Sequence, residues 1–330
     1  MATVSYDDPL LGYEALNSDA QAWIDAMLHS THLPSTSWLV RGKLPDGIRD
    51  EIIDLAPTLS TADYVAILRS LLPSGVGLSK MEAFGLAIIK DEIVDRMKRN
   101  LSTEYERRYV ATVTGQPSAA PTPDLTWILD LAELKPAAMR EIALSYLGAH
   151  AQWLTDTAID GLSDFLEMTR SRALSLSNAP GPLGVLENIK PLELELLCAE
   201  LWESMGYEVV VTPASHDGGR DIVVTLEGVG TSVTILIECK QWHNPVGVQE
   251  VRALRGVLDD YDSAKAILVA PGGFTSGSGS ATEFAARHKR IELVSADRLL
   301  NLLAEHLGER WHLRIDNIIM WRLRFLAERG

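Results

Sequence analysis

The chain has 330 residues, 46% hydrophobic and 23% charged, the size and composition of a soluble globular protein of two or three compact units. It contains no apolar run long enough to span a bilayer, and its start, MATVSYDDPLLGYEAL, lacks the basic flank and apolar stretch of a secretory signal. Two cysteines exclude a disulfide framework and fit a reducing cytoplasm, and a net charge of −15 excludes nucleic-acid binding that rests on an overall basic surface.

Two breaks divide the chain by composition. Residues 115–123 (GQPSAAPTP) are rich in proline and small residues, and residues 177–184 (SNAPGPLG) are denser still in turn formers. Before the second break the sequence reads as mainly helical. Residues 61–72, 78–109 and two stretches within 136–174 carry apolar side chains at helical spacing, and strand-like alternation is almost absent. In this N-terminal region Arg96, Lys98, Arg99, Arg107 and Arg108 form the only dense basic cluster, and a solvated helix face explains it more simply than a DNA-reading surface.

After the second break the periodicity changes. An apolar helix over 192–205 ends at Gly206, and strands follow over 207–212, 221–226 and 232–239, the last two joined by a Gly-rich hairpin. A helix over 246–258, an apolar strand over 265–270, a Gly/Ser loop, a further helix, a strand over 291–294 and a helix over 295–307 complete the unit. The order αβββαβ, then αβα, predicts an α/β domain with a mixed sheet. Residues 311–329 mix Trp311, Ile315, Ile318, Ile319, Trp321 and Phe325 with arginines, the pattern of a packing or dimer-forming helix.

Residues 221–240 hold the side chains on which chemistry can be built. Asp221 opens a strand directly after two glycines. Glu238 and Lys240 lie two apart on the next strand, so they project from one face of the sheet while Cys239 points to the other. A hairpin of these strands brings Asp221 level with Glu238. Two carboxylates and an ammonium at one point are what metal-assisted phosphodiester hydrolysis requires, the carboxylates to hold the ion and the cation to act on the attacking water.

Leu194-Glu195, Gly206-Tyr207, Asp217 to Asp221 (DGGRD), Ile237 to Trp242 (IECKQW), Val248 to Gly256 (VQEVRALRG), Ala266 to Ala270, Phe274 and Glu283 to Ala286, taken in this order and at these intervals, resemble the Mrr-like (type IV restriction endonuclease-like) branch of the PD-(D/E)XK nucleases. The resemblance covers about residues 190–308. It implies a restriction-endonuclease-like core, Asp221 and Glu238 as metal ligands for Mg²⁺ or Mn²⁺, and Lys240 orienting the water. It further implies Glu195 as an additional acidic ligand and Gln249 as a side chain touching the site or the phosphate. Arg220 stands where the superfamily's proline would be, and position 238 is Glu where many relatives have Gln.

Simpler roles compete. Glu195 shares its helix with Glu193, Glu200 and Glu203 and fits a solvated face as well as a site. Asp217 reads as a turn residue, His216 and His243 as hydrogen-bonded structural groups, Cys239 as a small buried hydrophobe, and residues 272–280 as a strand-to-helix loop. Residues 190–308 carry ten Lys and Arg against seventeen Asp and Glu, so weak intrinsic DNA affinity is expected.

The expected organisation is a sensing, regulatory or assembly region over 1–180, a nuclease domain over 185–308 and a packing or oligomerisation helix over 309–330. The expected function is a cytoplasmic, metal-dependent endodeoxyribonuclease of restriction or anti-phage defence. Expected partners are DNA, a second copy in a homodimer or higher oligomer, and a regulatory partner or ligand at residues 1–180; no membrane is expected. The alternatives are a nuclease-fold subunit that binds nucleic acid or scaffolds a complex without cutting, and a ligand-gated, non-specific DNase effector.

Overall fold

Short helices rich in Leu, Ile and Ala build the N-terminal part of the chain: α1 (Ala20–His29), α2 (Arg49–Leu55), α3 (Thr61–Leu71), a 3-10 turn (Leu125–Leu131), α4 (Pro136–His150) and α5 (Asp156–Ser175). A computed structural model of the protein describes residues 19–29, 42–73, 98–99, 125–151, 154–177, 181–212, 221–228, 231–259 and 265–329. It divides into two compact units, 1–176 and 177–330. Most of the helix expected over 78–109, the first Pro-rich break, and His216, Asp217 and Arg220 lie outside the described residues.

In the first unit, α3 starts where Ser60 accepts the Asp63 N–H at 3.2 Å, a side-chain cap for an otherwise unpaired donor. Helices α2, α3 and α4 pack on α5. The Arg49 guanidinium on α2 ties down two buried carboxylates of α5, with Nε 2.6 Å from Asp164 and Nη2 2.6 Å from Glu167. Asp164 also accepts the Leu44 N–H at 2.7 Å.

The second unit contains one five-stranded sheet in the order β1 (Glu208–Val211), β2 (Ile222–Gly228), β3 (Thr231–Cys239), β4 (Lys265–Ala270), β5 (Ile291–Ser295). Strands β1 to β3 are antiparallel, and β3, β4 and β5 run parallel. The expected mixed sheet is therefore present, with β3 the strand at which direction changes. Its helices are α6 (Gly181–Asn188), α7 (Pro191–Ser204), α8 (Val248–Asp259), α9 (Ala281–Arg287), α10 (Ala296–Leu307) and α11 (Ile315–Arg329).

Alternation along the strands sorts these helices to the two faces. Leu236, Ala266 and Leu268 point into a core with Val251, Leu254 and Leu258 of α8 and Ala281 of α9. Ile222, Val224, Ile235 and Ile237 are buried too, and α7 packs along β1, β2 and β3. Helix α11 packs on α7, where Arg322 pairs with Glu200 and Glu203.

One boundary reading is corrected. Residues 177–184 are not all linker, because α6 begins at Gly181. Pro182 stands in its first turn, where proline removes an N–H that has no partner in any case.

Candidate active site

The site lies where β2 begins and β3 ends. Ile222 pairs with Ile237, so the antiparallel register carries Asp221 level with Glu238. Asp221 is fixed on both sides: its N–H donates to Ile237 O at 3.0 Å and its C=O accepts from Thr212 N–H at 2.8 Å. Its carboxylate Oδ2 accepts the Cys239 N–H at 2.7 Å. A side-chain oxygen thus replaces a ladder acceptor and orients the carboxylate against the end of β3.

Glu238 is 5% exposed, a carboxylate at the end of the apolar run Val233 to Ile237. Such a group needs a partner. Lys240, two residues on and on the same face, supplies it with Nζ 2.6 Å from Oε1. Burial raises the Glu238 pKa above its ordinary value; the Lys240 ammonium opposes this, and Asp221 and Glu250 add to the rise. For Lys240, burial lowers the pKa, but the bond to Glu238 and the charges of Glu238, Asp221 and Glu250 outweigh it and the pKa is raised. The Lys240 N–H donates to Val269 O at 2.8 Å, which anchors the end of β3 to β4.

Beyond Lys240 the chain crosses to α8 through residues that are fastened to the loop after β4. Val246 N–H donates to Gly273 O at 2.8 Å, and Thr275 N–H to Val246 O at 3.0 Å. Trp242 is 45% exposed, and its ring centre lies 5.8 Å from the Lys240 Nζ. Gln241 donates Nε2–H to Leu186 O at 2.8 Å, which holds α6 to the residue next to Lys240.

The acidic residues of α7 separate by role. Glu193 accepts the Lys190 N–H at 3.0 Å and closes the helix N-terminus. Glu200 and Glu203 face Arg322. Glu195 is half-buried, one turn before Cys198, and close enough to raise the Cys239 thiol pKa, whose larger causes are a hydrogen bond with Cys198 and burial. Glu195 therefore approaches the end of β3 from the Cys239 side, while Glu238 and Lys240 project from the other.

Gln249 is exposed on α8. The α8 side chain within electrostatic reach of both Glu238 and Lys240 is its neighbour Glu250, which sequence reading passed over. Helical phase held the clue: Val251, Leu254 and Leu258 define the buried stripe, and Glu250 borders it more closely than Gln249 does.

As donors for a hard divalent ion, Asp221 and Glu238 fit. They are adjoining carboxylates, and the charge of Asp221 raises the Glu238 pKa, a repulsion that a shared cation would relieve. Among the described residues no group of three or more His, Cys, Asp or Glu side chains is assembled for an ion.

The restriction-endonuclease family, in its Mrr catalytic form, matches residues 186–303. Among curated proteins, the chain is similar to the type IV methyl-directed restriction enzyme EcoKMrr of Escherichia coli (strain K12). The two are 28% identical over 130 residues, 37% of this chain and 41% of that protein. It is also similar to the uncharacterized protein y4cE of Sinorhizobium fredii (strain NBRC 101917 / NGR234), 26% identical over 155 residues, 45% of this chain and 39% of that one. These matches span about two-fifths of the length of either relative. Among solved structures, MspJI restriction endonuclease in complex with a 27-mer oligonucleotide is 15% identical, with 47% of this chain and 36% of that chain covered and a TM-score of 0.34. Residues 186–303 thus form a restriction-endonuclease domain that matches the Mrr catalytic model and is similar to a type IV restriction enzyme.

Proposed function

We propose that the protein is a metal-dependent endodeoxyribonuclease of restriction or anti-phage defence, acting in the cytoplasm. The observation that supports this best is a buried carboxylate, Glu238, kept beside Asp221 at a strand end and neutralised by Lys240 at 2.6 Å. A core that had lost its chemistry would be simpler with an apolar side chain at 238, because burying an ion pair seldom adds net stability.

In this reading Asp221 and Glu238 hold Mg²⁺ or Mn²⁺, and Glu195, which approaches from the Cys239 side of β3, stands outside the pair. The bound ion would lower the pKa of the attacking water and neutralise charge on the leaving oxygen. Lys240 orients that water through its ammonium protons. Gln249, exposed at the start of α8, contacts the phosphate. The Asp221 carboxylate, fixed by the Cys239 N–H, keeps its direction as substrate enters. Residues 1–180 act as a sensing, regulatory or assembly region, and a homodimer or higher oligomer supplies a second site for the second strand.

Variants test these roles. Lys240→Ala should abolish cleavage while the fold survives, and Asp221→Ala should lose Mn²⁺ binding as well as cleavage. A folded Lys240→Ala protein that cuts DNA at the wild-type rate would remove the lysine from the reaction. Wild-type protein that binds DNA and cuts none with either metal would favour the non-cleaving subunit. The name of the E. coli relative makes methylated DNA the first substrate to try.

A further inference from the structure

The acidic total of residues 190–308 hides an uneven distribution. Five of the ten Lys and Arg in that segment, Arg252, Arg255, Arg287, Lys289 and Arg290, belong to α8, α9 and the turn after α9. Helices α8 and α9 pack on each other, and all five side chains are exposed. No sequence window shows this cluster, because it joins residues more than thirty positions apart.

Contacts hold the cations in place. Arg252 lies with its guanidinium 5.6 Å from the centre of the Phe284 ring. Arg255 Nη1 is 2.7 Å from His288 Nε2, which accepts because Nδ1–H donates to Phe284 O at 2.7 Å. Arg290 reaches Leu258 O near the C-terminal end of α8 at 3.4 Å. Arg287 pairs with Glu283 at 2.5 Å. The face begins near the site, because α8 starts eight residues after Lys240 and Val246, just before it, donates its N–H to Gly273 O beyond the end of β4 at 2.8 Å. From Glu250 to Leu258 the helix rises about 12 Å, or three to four base-pair steps at about 3.4 Å each.

We infer that this α8–α9 face is the surface on which the protein seats duplex DNA, by contacts to phosphates flanking the one to be cut. The inference rests on the nuclease reading above and adds the place where substrate lies. Charge selects the occupant: these elements carry five cations against Glu250, Asp259 and Glu283, a basic excess on a chain of −15 that attracts a polyanion. Arg252 and Arg255, one turn apart on α8, contact successive phosphates of one strand. Affinity from such contacts is independent of sequence and steeply salt-dependent.

The test is binding of the full-length protein to a short fluorescein-labelled duplex, read by anisotropy across a salt series, in EDTA and with Ca²⁺. Arg252→Gln/Arg255→Gln should reduce the slope of log K against log salt by about 1.8, at about 0.9 per phosphate, and weaken binding at low salt about tenfold or more. That variant also loosens the Phe284 and His288 contacts, so a gain variant accompanies it. Gly256, one turn after Arg252, is exposed with open space for a side chain, and Gly256→Lys should tighten binding and steepen the slope by about 0.9, which a misfolded protein cannot do. If wild type cuts plasmid but all three proteins bind with one slope, DNA lies elsewhere and only this inference falls. If wild type neither binds duplex nor cuts it, the inference and the nuclease reading fall together.

Discussion

Gly272 is where the geometry of the site can be broken without touching a reacting group. A Cβ at this position would stand 3.1 Å from the Trp242 carbonyl carbon and 3.2 Å from the His243 carbonyl carbon, with the Trp242 oxygen nearer still. Carbon atoms in ordinary contact are about 3.5–4.0 Å apart, so in Gly272→Ala one of the two loops must retreat by roughly 1 Å. The retreat strains the fastening between them, Val246 N–H to Gly273 O and Thr275 N–H to Val246 O. Two weakened hydrogen bonds at about 1 kcal/mol each predict a loss of about 2 kcal/mol. Trp242 is two residues from Lys240, and a misplacement of about 1 Å at a reacting centre costs on the order of a hundredfold in rate. Urea unfolding monitored by tryptophan fluorescence and plasmid cleavage at matched protein concentration measure the two effects. Gly272→Ala with unchanged midpoint and unchanged rate would refute the claim that these loops position the end of β3.

Three further outcomes are expected. Gly256, exposed on α8 with open space where a Cβ would stand, should accept alanine with a gain of about 1 kcal/mol in the same unfolding assay, since glycine inside a helix costs that much. Arg49→Met should destabilise the N-terminal unit by about 3–5 kcal/mol, because Asp164 and Glu167 would stay buried without their guanidinium; the first urea transition reads this. His150 is fully buried and stacked on Tyr146, and burial lowers its pKa to about 4 against a hydrogen bond to Tyr146 O that raises it. Between pH 6.5 and 4 the unfolded chain therefore binds a proton that the folded one refuses. This contribution to stability is complete above about pH 6.5 and declines by up to about 3 kcal/mol toward pH 4. Asp164, raised by burial to about 6, acts in the opposite direction over much of that window. The measurement is therefore the difference between wild type and His150→Phe, which should widen in favour of the variant as pH falls.

The sheet was legible because β2 buries alternate residues, while β3 from Ile235 and β4 from Ala266 are buried on both faces, as suits strands covered on each side. A period of two along β3 places Glu238 and Lys240 on one face, and the hairpin length brings Asp221 level with Glu238. What stayed hidden depends on contacts between distant parts of the chain. The α8–α9 cations gather only when helices separated by β4 pack together. Glu250 rather than its neighbour faces the site because Val251 and Leu254 fix the rotation of α8. The roles of the acidic residues on α7 were undecidable until Lys190 and Arg322 were seen to engage Glu193, Glu200 and Glu203. Arg49 meets Asp164 and Glu167 across more than a hundred residues, a pairing that no local pattern announces.

Metal-dependent cutting of DNA is the claim on which the rest depends. The direct measurement uses full-length protein and supercoiled plasmid prepared from methylating and non-methylating hosts, with Mg²⁺, Mn²⁺ or EDTA. Nicked and linear forms should accumulate with Mg²⁺ or Mn²⁺ on at least one plasmid, none should form in EDTA, and Asp221→Ala should leave every plasmid supercoiled. Plasmid untouched by wild type in all arms, or cutting that survives EDTA or Asp221→Ala, would contradict a metal-dependent site at Asp221, Glu238 and Lys240.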